Sequence, residues 1–269
     1  MNSCSKRYAY VTLVTNEDYC LGALALARSL NLVKAEHQLL VMYTQEMSGL
    51  AGLESEGCET LKVEKLPLSD AFEQRHSRRA QHAVAPFDKG NKPTFHDPLY
   101  NFCKLHLWEM DEFDRVVFID ADAIVVKDIE KLFGYPEFSA APNLYEELID
   151  FHRLNSGLFV AKPDKGTFEH MLKILDQPEK FWRRTDQTFL ETYFPDWHGL
   201  PYTFNTLQYV YFNLPEMWHW PSIKVVHYQY EKPWEDDHPK KDLLQPLIDL
   251  WYQVLDKREI PQELASIHG

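Results

Sequence analysis

The chain has 269 residues, with 28 Lys and Arg against 41 Asp and Glu, so its formal net charge at pH 7 is −13. This balance disfavours a nucleic-acid-binding protein, since affinity for phosphate backbones comes from clustered Lys and Arg. Hydrophobic residues make up 45% of the chain, enough for a buried core, so the composition predicts one folded domain over residues 1–269.

The sequence predicts neither a membrane span nor a leader segment. No run approaches the roughly 18 consecutive apolar residues of a membrane helix, and the stretch Met1 to Arg7 is polar. The cysteines are widely spaced and match no CxxC pattern; they are Cys4, Cys20, Cys58 and Cys103. We therefore expect a cytoplasmic protein with reduced thiols, and neither nucleic acid nor membrane among its partners.

The first third of the chain alternates strands and helices. Predicted strands are Tyr8 to Val14, Gln38 to Thr44 and Thr60 to Leu66, and an Ala- and Leu-rich helix is predicted from Tyr19 to Leu30. Between the first strand and this helix, Thr15-Asn16-Glu17-Asp18 offers capping side chains. A β-α-β-α-β start is typical of a nucleotide-binding half-domain in an α/β protein with a mainly parallel sheet.

A basic segment follows, from Ser69 to Asp97. It carries five Lys or Arg and three His, together with turn-forming residues, in a chain that is acidic as a whole. Such a segment is either a surface lid that handles an anion or a solvated face.

The remaining elements carry the polar groups of interest. A helix begins at Asp97-Pro98, the apolar strand Arg115 to Ile119 ends in Asp120-Ala121-Asp122, and a later strand, Ile223 to Val226, ends in His227. Further elements are predicted as a strand at Gly157 to Ala161, a helix at Phe168 to Leu175 and a helix at Asp242 to Val254. We expect a nucleotide-binding half (about 1–122), an acceptor half (about 123–240) and a C-terminal helix (about 241–269).

Asp120, Asp122 and His227 are candidate metal ligands. In open α/β sheets, ligands bind beyond the carboxyl ends of the strands, and both apolar strands end there in metal-competent groups. Two carboxylates and an imidazole suit Mn or Mg. Each signal also has an ordinary structural interpretation, with the first Asp capping a turn and the His satisfied in the core.

Four further groups could complete a nucleotide site. Lys104 and Lys232 could neutralise phosphate oxygens, or could be ordinary surface charges. Asn155-Ser156-Gly157, placed before a strand, could contact sugar hydroxyls or form only a turn, and Asp186-Gln187 could bind a sugar or cap a helix.

Taken together, these residues resemble a known family. The segments in question are Val11 to Asn16 with Tyr19 and Gly22-Ala23-Leu24, Lys104-Leu105-His106 with Trp108, Val117 to Asp122, Ser139 to Pro142, Asn155 to Gly157, Asp186-Gln187, Lys224 to His227, and Lys232-Pro233-Trp234. In order and spacing they are similar to the glycogenin-type members of family 8 glycosyltransferases. The resemblance implies a GT-A fold and a retaining transfer from a UDP-sugar, in which the leaving diphosphate helps to deprotonate the acceptor hydroxyl.

The resemblance also assigns roles. It places Leu13, Thr15, Asn16 and Tyr19 at the uridine, Asp120, Asp122 and His227 at a Mn ion, with Mg as the alternative, and Ala121 beside them in the nucleotide-sugar site. Lys104 and Lys232 would contact the phosphates. Asn155, Ser156, Asp186 and Gln187 would form the donor-sugar and transfer site, with Asp186, Gln187 and Lys104 as the catalytic candidates.

Three departures from glycogenins stand out. The stretch Phe204 to Asn213 is one residue short, which places Phe212 or Tyr211 opposite the tyrosine that glycogenins glucosylate on themselves. The loop after His227 lacks the family's glycine, and the sequence ends at Gly269 without the long glycogenin tail. This combination resembles the cytoplasmic α-galactosyltransferases of protists that extend a glycan on an SCF ubiquitin-ligase subunit.

The predicted activity is therefore Mn-dependent transfer of galactose or glucose from a UDP-sugar to a glycan or glycoprotein acceptor, by a protein that we expect to form a homodimer. Galactose and glucose differ by one hydroxyl configuration, so the sequence leaves the donor open. The aromatic rings of Tyr209, Tyr211, Phe212, Trp218 and Trp220 could stack on a glycan or pack in the core. The alternatives are a self-glucosylating glycogenin, a Mg-dependent phosphohydrolase of the haloacid-dehalogenase type and an inactive nucleotide-sugar-binding protein.

Overall fold

The computed structural model describes residues 6–77, 97–182 and 185–264. Its strands are Tyr8–Val14 (β1), Leu39–Tyr43 (β2), Glu59–Lys62 (β3), Arg115–Ile119 (β4), Ala123–Val125 (β5), Ser139–Pro142 (β6), Leu154–Ala161 (β7), His198–Gly199 (β8), Thr206–Leu207 (β9) and Val225–His227 (β10). They form a large sheet of order β3-β2-β1-β4-β7-β6-β8 and a small sheet of order β5-β10-β9.

Most pairs in the large sheet are parallel. β1 pairs in parallel with β2 and β4, β2 with β3, and β6 with β8, whereas β7 runs antiparallel to both β4 and β6. The central strands are buried along nearly their whole length, as expected for a sheet covered on both faces. The predicted α/β class with a mainly parallel central sheet is confirmed.

Helices cover both faces of this sheet. The α-helices are Glu17–Leu32 (α1), Leu50–Ser55 (α2), Asp70–His76 (α3), Pro98–Asn101 (α4), Lys165–Leu175 (α5), Asp186–Tyr193 (α6), Val210–Asn213 (α7) and Lys241–Leu255 (α8). Short 3₁₀ helices occupy Phe102–Glu109, Glu130–Gly134, Leu148–His152, Tyr202–Phe204 and Pro215–Met217. In the described part of the chain, no helix combines the length and the apolar character that a membrane crossing requires.

The core follows the alternation of side chains along the strands. On β1, Tyr10 and Val14 point into a cluster beneath α1, while Val11 and Leu13 point to the opposite face. That second face is covered by the 3₁₀ helix Phe102–Glu109 and by the apolar side of α5. The sheet is therefore packed against buried side chains on both faces.

Several predicted elements match the structure closely. The strands Tyr8–Val14 and Arg115–Ile119 have the predicted bounds, and the Asn16 side chain caps α1 by accepting a hydrogen bond from the Tyr19 amide at 3.2 Å. Asp97 caps α4 in the predicted way, but the chain continues from Phe102 as a 3₁₀ helix rather than an α-helix.

Three predictions are corrected. Asn155-Ser156-Gly157 does not precede a strand but lies inside β7. The His227 strand belongs to the small sheet, where it pairs antiparallel with β5, and not to the large one. The segment predicted as a loop from Ser69 includes the helix α3, which Ser69 caps; residues 78–96 of the predicted lid lie outside the described residues.

Candidate active site

The candidate metal ligands meet where β4 turns into β5. β4 ends at Ile119, and the turn Asp120-Ala121-Asp122 leads directly into β5. Since β10 pairs antiparallel with β5, His227 lies opposite Ala123, and the Tyr228 amide donates to the Asp122 carbonyl at 2.8 Å. Strand pairing thus brings the imidazole beside the two carboxylates, as the sequence predicted.

The three side chains face one another. His227 Nε2 lies 3.2 Å from Asp122 Oδ1 and 3.9 Å from Asp120 Oδ2. One ligand atom from each residue lies within 4.8 Å of the other two. Asp122 and His227 are buried, and the Asp120 side chain is 31% exposed, so the cluster opens to solvent on the Asp120 side. Two carboxylate oxygens and one imidazole nitrogen fit a divalent cation such as Mn²⁺ or Mg²⁺.

Gly157 makes room for the imidazole. A Cβ atom on this residue would lie 2.2 Å from His227 Cε1 and 2.5 Å from His227 Nδ1, well inside van der Waals contact. The strand is held at this point, because the Gly157 carbonyl accepts a hydrogen bond from the Asp120 amide at 2.8 Å. Glycine is therefore the residue that this position requires.

Both predicted phosphate lysines lie at this site, buried and paired with carboxylates. Lys104 Nζ is 2.7 Å from Asp186 Oδ2 and 3.3 Å from Asp120 Oδ1. Lys232 Nζ pairs with the Asp122 carboxylate and donates to the Tyr228 carbonyl at 2.9 Å. The alternative interpretation of these lysines as surface charges is wrong, since each is only 3% exposed.

These pairs set the ionisation of the site. Burial alone would raise the pKa of the Asp122 carboxyl, but the Lys232 ammonium opposes burial, and that pKa lies well below its usual range. For Asp120, withdrawal from water raises the pKa, and the Lys104 ammonium opposes this only in part. Burial also disfavours the Lys104 ammonium, yet Asp120 and Asp186 raise the pKa of that group, so Lys104 is charged at neutral pH.

Ser156 connects β7 to the start of α6. Its hydroxyl donates to Asp186 Oδ2 at 3.0 Å, and its amide donates to Gln187 Oε1 at 3.3 Å. Thr185 caps α6, so Asp186 and Gln187 occupy the first turn of the helix. The predicted sugar-site residues Ser156, Asp186 and Gln187 are therefore brought together beside Lys104. Asn155 is adjacent but buried, with both side-chain polar atoms bonded to protein groups.

The residues predicted to hold uridine lie at the carboxyl end of β1 and the start of α1. Leu13 is the penultimate residue of β1, Thr15 follows the strand, and Asn16 caps the helix. The Tyr19 ring lies 5.9 Å from Lys232 Nζ and packs edge-on against the Trp234 ring, with centroids 6.1 Å apart. This end of β1 thus adjoins the lysine and carboxylate cluster.

The aromatic residues before His227 pack in the core. Tyr209, Tyr211, Trp218 and Trp220 are all buried, with relative exposures of 1% to 7%, and Phe212 packs against the same clusters. The Tyr209 hydroxyl donates to Glu231 Oε2 at 2.7 Å and accepts from Lys240 Nζ at 2.7 Å. For the four buried rings, core packing is confirmed as the correct interpretation over glycan stacking.

Sequence reasoning missed Asn143, Asn205 and Glu231. Each is buried and hydrogen-bonded to a group distant in the chain, and Asn205 contacts His227 itself. Asn143 alone has a sequence signal, as a polar residue within the otherwise apolar stretch Ala140 to Tyr145, whereas Asn205 and Glu231 stand among other polar residues.

Comparison with known proteins points to one family. The sequence profile described as Glycosyl transferase family 8 matches residues 10–238. A protein of Arabidopsis thaliana named putative UDP-glucuronate:xylan alpha-glucuronosyltransferase 5 is 32% identical over 98% of this chain and 44% of its own length. Human glycogenin-1 is 30% identical over 87% of this chain and 64% of its own length. The chain thus spans less than two thirds of each of these relatives.

Among solved structures, the galactosyltransferase LgtC, in complex with donor and acceptor sugar analogs, superposes with a TM-score of 0.61 at 15% sequence identity. The match covers 94% of this chain and 98% of that chain. At this identity the likeness concerns the fold, and it confirms the GT-A class that the sequence predicted.

Proposed function

The chain belongs to glycosyl transferase family 8, and we propose that it transfers a hexose, galactose or glucose, from a UDP-sugar to a glycan acceptor with retention of anomeric configuration. The observation that carries this proposal is the cluster of Asp120, Asp122 and His227 at the sheet edge, flanked by two buried lysines. Such a cluster suits a diphosphate bridged by a divalent cation.

Asp120, Asp122 and His227 would hold Mn²⁺, with Mg²⁺ as the second choice. The cation would act as a Lewis acid on the diphosphate and stabilise the charge that develops as the sugar bond breaks. The charged side chains of the site are three carboxylates and two ammonium groups, so a divalent cation would change their net charge from −1 to +1, which suits an anionic diphosphate.

The two lysines would stabilise the negative charge that develops on the leaving diphosphate. Lys104 is bound to Asp120 and Asp186, and Lys232 to Asp122, so each ammonium is already desolvated and fixed in position. Fixed charges need no reorganisation when the transition state forms, which is the condition for strong electrostatic catalysis. We assign Lys104 a catalytic role on this ground.

Ser156, Asp186 and Gln187 would hold the donor sugar, with Asp186 and Gln187 at the reacting carbon. Hydrogen bonds from Ser156 to Asp186 and Gln187, together with the ion pair of Asp186 and Lys104, hold these side chains beside Lys104. Leu13, Thr15, Asn16 and Tyr19 would bind the uridine, next to Ala121 in the turn. Gly22 supports this arrangement, because a Cβ there would lie 2.4 Å from the Ala121 carbonyl oxygen.

The acceptor in our proposal is a separate glycan. Self-glucosylation needs an accessible tyrosine hydroxyl, and both Tyr209 and Tyr211 are at most 2% exposed. A protein-linked glycan on an SCF ubiquitin-ligase subunit, a cytoplasmic location and a homodimer stay predictions of the sequence resemblance. Because curated relatives include xylan glucuronosyltransferases, UDP-glucuronate is a further donor to be tested.

A donor screen tests the proposal. Mn-dependent release of UDP from UDP-galactose, UDP-glucose and UDP-glucuronate would be measured for the wild type, for Asp122→Asn and for Asp256→Asn, an exposed control paired with Arg258. We expect turnover of a UDP-hexose that is lost in Asp122→Asn and in excess chelator, and kept in Asp256→Asn. Turnover of UDP-glucuronate alone would contradict the hexose assignment, and hydrolysis of p-nitrophenyl phosphate without UDP-sugar turnover would favour the phosphohydrolase.

A further inference from the structure

A chain of buried amide side chains ends on the His227 ring. The Gly157 amide donates to Asn155 Oδ1 at 2.9 Å, and Asn205 Nδ2 donates to the same oxygen at 2.8 Å. Asn155 Nδ2 donates to Asn143 Oδ1 at 2.9 Å, and Asn205 Oδ1 lies 3.0 Å from His227 Nδ1. Asn155, Asn205 and His227 are each at most 2% exposed.

The direction of every hydrogen bond in this series follows from the bond that the Gly157 amide donates to Asn155. A backbone N–H can only donate, so the atom of Asn155 that faces Gly157 is its oxygen. Asn205 must then present its NH₂ group to that oxygen, which leaves the Asn205 oxygen facing His227. An amide oxygen only accepts, so His227 Nδ1 carries a proton and donates it to Asn205.

This direction decides which nitrogen of His227 can bind a cation. With the proton on Nδ1, the Nε2 lone pair points to the space shared with Asp122 Oδ1 at 3.2 Å and Asp120 Oδ2 at 3.9 Å. Ligating histidines generally donate their other ring N–H to an oxygen acceptor, which fixes both tautomer and ring orientation. The side chain that does this here lies 22 residues from His227 in the sequence.

We propose that Asn205 and Asn155 are positioning residues that hold His227 in the Nδ1–H form with Nε2 aimed at the divalent cation. Asn155 then does not have the donor-sugar role that the family resemblance gives it, because its side-chain polar atoms are already hydrogen-bonded to Gly157, Asn205 and Asn143. Asn155 and Gly157 have different functions. Asn155 orients the Asn205 side chain, and Gly157 leaves space for the His227 ring.

The proposal rests on the proposed function only in requiring a divalent cation at this site. Its test is therefore Mn²⁺ affinity, measured from the free Mn²⁺ signal in electron paramagnetic resonance with UDP present and no sugar donor. Asn205→Asp keeps an acceptor opposite Nδ1 but loses the donor to Asn155 Oδ1, whereas Asn205→Leu removes both groups. Asn213→Leu is the matched control, because Asn213 Nδ2 has no hydrogen-bond partner among the residues that the structure describes.

We expect Asn205→Leu to weaken Mn²⁺ binding by about 10- to 100-fold, the usual effect of losing the partner of a ligating histidine. Asn205→Asp should weaken Mn²⁺ binding less than Asn205→Leu does, because it keeps the acceptor for Nδ1, and Asn213→Leu should bind as wild type does. If Asn205→Leu does not fold, Asn205→Ser, whose hydroxyl is too short to reach the ring, replaces it with the same expectation. Wild-type affinity in the Leu or Ser variant, or equal loss in Asn205→Asp, would overturn the proposal.

Asn155→Leu separates positioning from sugar contact. We expect it to weaken Mn²⁺ binding with UDP alone, and to weaken the binding of UDP-hexose by no more than that of UDP. Unchanged Mn²⁺ affinity combined with a selective loss of UDP-hexose affinity would return Asn155 to the sugar site and overturn this part of the proposal. A wild type that binds Mn²⁺ but transfers no hexose would contradict the proposed function and leave this inference standing.

Discussion

Gly157→Ala is the smallest change that should disable the site. The added Cβ would lie 2.2 Å from His227 Cε1, whereas ordinary contact begins near 3.4 Å, so the ring or the strand must move by about 1.2 Å. The strand resists, because Gly157 is bonded to Asp120 in the pairing of β7 with β4, and the ring is 2% exposed. Ligand distances tolerate only about 0.2 Å, so a shift of this size removes His227 as a ligand.

We expect Gly157→Ala to lower the free energy of unfolding by about 1 to 3 kcal/mol, the range for overpacked cores, and to weaken Mn²⁺ binding by at least about tenfold. Urea unfolding and Mn²⁺ titration measure the two effects. Gly52→Ala in α2 is the control, since no described atom lies within 4 Å of its added Cβ. Its free energy of unfolding should rise by about 0.5 to 1 kcal/mol. Wild-type stability and Mn²⁺ affinity in Gly157→Ala would show that the His227 ring does not need the space that Gly157 leaves.

Three further predictions concern two sets of ion pairs and the buried tyrosines. Lys104→Met leaves the buried Asp186 carboxylate without its ammonium partner and should lower the free energy of unfolding by about 3 to 5 kcal/mol; a loss below about 1 kcal/mol in urea unfolding contradicts the buried pairing. Arg28 and Lys257 outweigh burial and lower the pKa of Glu56, so its stabilising effect is present above the unfolded pKa of about 4.3 and fades as the pH falls below it. Glu56→Gln should therefore be less stable than wild type by about 1 kcal/mol at pH 7, and this difference should shrink as the pH falls below about 4.3 and through the lowered pKa of folded Glu56. A difference that does not depend on pH argues against the ion pairs. Intact-mass spectrometry after incubation with Mn²⁺ and UDP-galactose or UDP-glucose should show no added hexose, because Tyr209 and Tyr211 are buried, whereas a ladder of hexoses identifies a glycogenin.

The strands β1 and β4 could be predicted because short, continuous apolar runs are typical of strands buried on both faces. The meeting of Asp120, Asp122 and His227 followed from where their strands end. The way in which they meet could not be predicted, because β5 has only three residues and was not predicted as a strand, so its antiparallel pairing with β10 could not be foreseen.

The residues predicted to contact the donor sugar show how local patterns can mislead. Asn-Ser-Gly is typical of turns when only neighbouring residues are considered, yet Asn155, Ser156 and Gly157 lie within β7. Their polar groups are satisfied by residues up to 50 positions away, such as Asn205, and such long-range partners are invisible to local patterns. The pairing of Lys104 with Asp186, 82 positions later, could not be foreseen for the same reason.

The central claim is that Asp120, Asp122 and His227 hold the cation that bridges a nucleotide diphosphate. Anomalous diffraction at a wavelength where Mn scatters, from crystals grown with Mn²⁺ and UDP, tests it most directly. We predict one strong anomalous peak in contact with both carboxylates, with His227 Nε2 and with the diphosphate of UDP. Bound UDP with no such peak, or a peak away from these three side chains, would contradict it.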